Sequence, residues 1–116
     1  MSKIKIALPS KGRLKEESLK FFQSKNLRVI NTFGERNYFF NVKNNNQIEG
    51  IYLHAKEIIE RINDGTLDMG ISGLDLLKEF PDIYSKNVKI LQHLNFGFAD
   101  LVVAALFSYS IYLVLN

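Results

Sequence analysis

Two cations flank a glycine where an apolar run turns polar, in the stretch "IALPSKGRLKEE" that carries Lys11, Gly12 and Arg13. A joint between a strand and a helix uses glycine for its backbone freedom. It has no need of Lys11 and Arg13, because the positive end of a helix dipole favours anions, a role that Glu16 and Glu17 are expected to fill. What those cations suit is a phosphate or other anion, held by free backbone N–H groups at the helix start and by the two side chains. A second joint of the same logic lies in "DMGISGLD", with Gly70, Ser72 and Gly73 expected in a turn and Asp75 in the first turn of the helix beyond it. Arg36, in "FGERNYF" between a glycine turn and an aromatic strand, adds a candidate phosphate or carboxylate contact. Each piece also has an ordinary explanation: solvated cations on a turn, glycines that permit tight packing, an aspartate that complements a dipole.

Other chemistries find less support. His54 and His93 stand far apart without a His or Cys at ligand spacing, so no metal is assigned to them, and with no cysteine in the chain thiolate and disulfide chemistry are excluded. No Ser/His/Asp set or carboxylate pair suggests a hydrolase. Phe21, Phe22, Phe39 and Phe40 are spaced for burial rather than as a base-stacking platform. The net charge of +3 is scattered among acids, which argues against a nucleic-acid partner. The apolar run of residues 101–115 is shorter than the roughly 20 residues that span a bilayer, so no membrane partner is expected. The N-terminus has too short an apolar stretch for a signal peptide, and a cytoplasmic location is expected.

The elements that must position these residues alternate along the chain. "KIKIAL" reads as a strand, residues 14–24 as a helix, and "NLRVI" and "NYFFNVK" as strands, with a polar turn at 43–47. "EGIYLH" is a further strand. Ala55, Ile58, Ile59 and Ile62 then recur at helical spacing up to a stop at 63–65. A strand at 69–71, a helix from Leu74, a strand "VKILQHL", a bend at 96–100 and a strand "LVVAAL" complete the series. The expected fold is one α/β domain, a largely parallel sheet with helices on both faces, whose ligands sit beyond the carboxyl ends of the strands.

Taken in order, "IALPSKGRL", "GER", "LHAKEIIERINDGTLDMGISGLDLL" and "LNFGFADLVVA" resemble the N-terminal part of the ATP phosphoribosyltransferase family, and most closely its short form. The resemblance covers about residues 3–104. It implies one lobe of a fold like the type II periplasmic binding proteins, and transfer of phosphoribosyl from phosphoribosyl pyrophosphate to N1 of ATP with release of pyrophosphate, the first step of histidine biosynthesis. It further implies Mg2+ accompanying phosphoribosyl pyrophosphate, a homo-oligomer, and a regulatory subunit related to histidyl-tRNA synthetase. By motif match Lys11, Gly12, Arg13, Arg36, Gly70, Ser72, Gly73 and Asp75 bind substrate, and none is a general acid or base. The family's Thr-Gly-x-Thr loop for phosphoribosyl pyrophosphate does not occur in these residues. Residues 1–104 are therefore expected to form the N-terminal lobe and 105–116 a divergent apolar tail, with the chain inactive alone and apolar surface near residues 102–114 driving association. The competing reading is a non-catalytic module that binds an anionic small molecule.

Overall fold

A computed structural model of the chain describes residues 3–31, 38–79, 88–95 and 100–106. Their elements run β1 (Ile4–Pro9), α1 (Gly12–Ser24), β2 (Val29–Asn31), β3 (Phe39–Val42), β4 (Ile48–Leu53), α2 (Ala55–Asn63), β5 (Met69–Gly73), α3 (Leu74–Lys78), β6 (Val88–Asn95) and β7 (Asp100–Leu106). The strands form one sheet in the order β2-β3-β4-β1-β5-β7-β6. At its centre β1 is parallel to both β4 and β5. β3 and β7 run against these, and β2 and β6, each antiparallel to one of those two, return to the common direction. Five of the seven strands therefore point the same way, the largely parallel α/β sheet expected.

Alternation along β1 divides the core in two. Ile4, Ile6 and Leu8 pack with Phe21 and Phe22 of α1 and with Phe40, Val42 and Tyr52. Ala7 points the other way, against Ile58, Ile59 and Ile62 of α2 and Leu77 of α3. Because successive strand side chains take opposite faces, one strand serves both layers, and helices cover both. Asp68 ties the start of β5 to β1: its N–H donates to the Lys5 carbonyl at 2.9 Å, and its Oδ2 accepts from the Lys5 N–H at 2.8 Å.

Three expectations need correction. α1 begins at Gly12 rather than Leu14, so Glu16 and Glu17 fall outside its first turn, which carries no acid. Residues 70–73 do not turn; they stay in β5, because β1 pairs with it on one side and β7 on the other. Val102 and Val103 are fully buried rather than an uncovered surface, since β6 and the helix layers enclose β7. Of the expected bend at 96–100, Asp100 opens β7 and residues 96–99 lie outside the described residues, as do the last ten residues of the expected tail. No helix among the described residues is long and apolar enough to cross a membrane.

Candidate anion-binding edge

Register brings the strand-to-helix junctions together. Pro9 lies beside Leu53, and Ala7 beside Gly70. Counting forward, the chain leaves β1, β4 and β5 at neighbouring points on one edge, into α1, α2 and α3 respectively. The Ser10 N–H donates to the Leu53 carbonyl at 2.9 Å, which fastens the first junction to the second. β2 runs toward the same edge and β3 starts from it. Arg36 belongs to the connection between them and lies outside the described residues.

The three helix starts differ in what occupies their N–H groups. At α2, the Lys56 N–H donates to His54 Nδ1 at 3.2 Å, so the exposed imidazole caps the helix, and Glu57 adds an acid to the first turn. α3 has Asp75 in its first turn, exposed to solvent. α1 has neither: Lys11 at the N-cap makes no side-chain cap, and no acid stands in the first turn. Gly12 takes φ +70, the left-handed region in which a side chain is strained. Lys11 and Arg13 are exposed on either side of it. Lys15 follows, its Nζ 4.5 Å from the centroid of the Tyr52 ring. The Tyr52 hydroxyl donates to Asn31 Oδ1 at 2.8 Å, and burial pushes its pKa above the ordinary 10.0. Such a helix start, with exposed cations, no acid in its first turn and no cap from the N-cap side chain, suits an anion held by charge-assisted hydrogen bonds.

The second motif contributes support rather than a loop. Gly70 is buried within β5, where an added Cβ would stand 2.5 Å from Ile58 Cγ2 and 3.1 Å from the Ala7 carbonyl oxygen. Ser72 is buried, and its hydroxyl donates to the Ala55 carbonyl at 3.0 Å, tying the end of β5 to the start of α2. Gly73 is the N-cap of α3 in ordinary extended geometry, with open space where a Cβ would go. The structure thus gathers Lys11, Gly12, Arg13, Gly73 and Asp75 at one edge with Ser72 just behind, and leaves Gly70 in the core. Sequence reasoning missed Lys15, although it stands four residues, one helical turn, after Lys11. It also missed Tyr52, whose place depends on strand pairing and has no local signal. His93 is exposed in β6, away from His54 in the chain. Among the described residues no group of three or more His, Asp or Glu side chains is arranged to hold a metal ion.

The ATP phosphoribosyltransferase family profile matches residues 54–112, just over half of the chain. Curated relatives called ATP phosphoribosyltransferase include those of Agrobacterium fabrum, 40% identical over 101 residues, and Brucella melitensis, 37% identical over the same length. In both, the match takes in 87% of this chain and 44% of the relative, so the chain spans less than half the length of these proteins. Among solved structures, the ATP phosphoribosyl transferase (HisG:HisZ) complex from Thermotoga maritima contains a similar fold, with a TM-score of 0.56 at 21% identity over 78% of this chain and 40% of that one.

Proposed function

The chain belongs to the ATP phosphoribosyltransferase family, and from that premise we propose that its junction edge is the ATP-side wall of a phosphoribosyltransferase cleft. The reaction joins N1 of the adenine to the anomeric carbon of phosphoribosyl pyrophosphate, breaks the bond from that carbon to oxygen, and releases pyrophosphate. A displacement of this kind gains most from holding two reactants in line and from fixed donors facing developing charge. Lys11, Arg13 and the first N–H groups of α1 take the phosphates of ATP, with Gly12 letting the backbone approach and Arg36 as a further cation. Gly73 and Asp75 border the same wall, Ser72 acts from behind it by a hydrogen bond, and Gly70 packs in the core away from the ligand. The single observation that carries this reading is the acid-free first turn of α1, which contains Arg13 and whose N-cap, Lys11, makes no side-chain cap.

Residues 1–104 form this lobe in our reading and 105–116 an apolar extension. Phosphoribosyl pyrophosphate is held elsewhere, since these residues contain no Thr-Gly-x-Thr loop. The wall is rich in cations and gathers no carboxylate cluster among the described residues, so it does not fit Mg2+, and the ion expected with phosphoribosyl pyrophosphate is assigned no residue here. Assembly into a homo-oligomer with a regulatory subunit is part of the same proposal, supported by the complex in which the similar fold occurs.

Calorimetric titration of the chain with ATP tests the wall. Replacing both Lys11 and Arg13 by alanine removes charge-assisted contacts, each worth about 1.5–3 kcal/mol, so affinity falls by about a hundredfold or more. Unchanged affinity overturns the assignment. With ATP, phosphoribosyl pyrophosphate and Mg2+ together, the 116 residues alone are expected to give no product.

A further inference from the structure

Apart from the nucleotide wall, we propose that the free edge of β2 docks an extended, acidic polypeptide segment, which joins the sheet as an eighth strand. β2 ends the seven-stranded sheet and, among the described residues, pairs with β3 alone. The Lys43 N–H donates to the Arg28 carbonyl at 2.8 Å, so the peptide groups of residue 28 face β3. Alternation in an antiparallel ladder then turns the N–H and C=O groups of Val29 and Asn31 outward, away from β3. Both residues line a groove of about 1130 Å³ whose other wall is Leu19 and Gln23 of α1. Arg28 and Lys43 also line it, and no carboxylate does. On the opposite face of the same edge Ile30 is 45% exposed.

An incoming strand that satisfies the outward groups of Val29 and Asn31 lays alternate side chains on the two faces. One set enters the groove beside Val29 and Leu19, which suits apolar side chains, and the other lies beside Ile30 on the face that positions 28 and 43 share by the same alternation, which suits acidic ones. That pattern selects a segment alternating acidic and apolar residues. Pairing with a second copy of this chain through the same edge would set Arg28 and Lys43 of one copy against those of the other, which charge repulsion opposes. The bland function of the same charges is to keep the edge unpaired.

The test titrates the chain with a nine-residue peptide alternating valine and glutamate, and with its lysine counterpart, while amide exchange is followed residue by residue. The glutamate peptide is expected to bind about tenfold tighter or more, slowing exchange at Val29 and Asn31. Val29→Pro removes an outward N–H and spares the ladder to β3, and should weaken binding about tenfold. Because that variant can disturb folding, a glutamate peptide N-methylated at the amides facing β2 tests the same bonds from the partner's side and should also lose binding. Equal affinity for the two peptides, unaltered exchange at Val29 and Asn31, or retained binding of the methylated peptide overturns the proposal. So does displacement of the peptide by inorganic triphosphate, which would mark a small-anion site, or self-association abolished by Val29→Pro, which would mark a second copy as the occupant.

Discussion

Gly70→Ala is expected to destabilise the chain by about 1–3 kcal/mol while leaving its affinity for ATP unchanged. The new methyl would stand 2.5 Å from Ile58 Cγ2, 3.1 Å from the Ala7 carbonyl oxygen and 3.5 Å from Ile62 Cδ1. Carbon atoms in contact prefer about 3.5–4.0 Å, so the first of these falls short by roughly 1 Å. Ile58 is fully buried in α2 and cannot swing aside, because a β-branched side chain in a helix has one strongly preferred χ1. The Ala7 carbonyl is part of β1, which Gly70 pairs with directly. Relief must come from α2 lifting off the sheet. A loss of that size lowers the melting temperature by roughly 5–15 °C in a domain of about this length. Thermal and urea unfolding followed by circular dichroism measure it, and calorimetry well below the transition measures ATP binding. Ile58→Ala, which removes the clashing Cγ2, costs about 2–5 kcal/mol alone. Combined with Gly70→Ala it should cost less than the sum, with a coupling of about 0.5–3 kcal/mol. Strict additivity, or wild-type stability in Gly70→Ala, refutes the packing argument; weakened ATP binding at unchanged stability would put Gly70 against the ligand instead.

At Gly12 the expectation is different, since an added Cβ meets nothing within 4 Å and only the φ of +70 resists it. Gly12→Ala should cost about 1–2 kcal/mol in urea unfolding, and Gly12→Asn less, because asparagine tolerates that conformation. Tyr52 has its pKa raised by burial above 10.0, so the fold favours the protonated phenol. The stability this contributes is complete below about pH 10 and is lost as pH rises through the raised value. Unfolding measured between neutral and strongly alkaline pH should show that fall, and Tyr52→Phe should flatten it while losing the bond to Asn31. Ser72→Ala should cost about 1 kcal/mol by deleting the buried hydrogen bond to the Ala55 carbonyl, read in the same unfolding experiment.

The parts of the fold legible in the sequence are those whose burial repeats locally. Ala55, Ile58, Ile59 and Ile62 recur at helical spacing, and all four are buried in α2. The alternation of "KIKIAL" marks β1, and its inner residues divide between the two helix layers as a central strand requires. What the sequence obscures is decided at a distance. Gly70 to Gly73 carry the composition of a turn and yet remain extended, because β7 pairs with all four and β1 holds Gly70 from the other side. The reversed strands β3 and β7 were closer to legible. Only residues 32–38 and 96–99 separate them from their predecessors, fewer than the dozen or so that a parallel crossover needs, and short connections join antiparallel neighbours.

The site shows the same division between composition and placement. Cations beside a glycine suit an anion, but three helix starts share one edge, and the sequence did not say which of them lacks an acid in its first turn. Electrostatics separates them. His54 closes α2 with a cap and Glu57 adds negative charge there, while Asp75 does so at α3. Each of these carboxylates complements the dipole of its own helix and repels a second anion from the same place. α1 has neither device, so an anion at its start meets no carboxylate of its first turn. The acid expected there stands one turn further along, as Glu16 and Glu17, so the departure from the ordinary helix start falls at the junction where phosphates are proposed to bind. A helix with no acid in its first turn, beside two that have one, leaves room for the anion proposed to bind there.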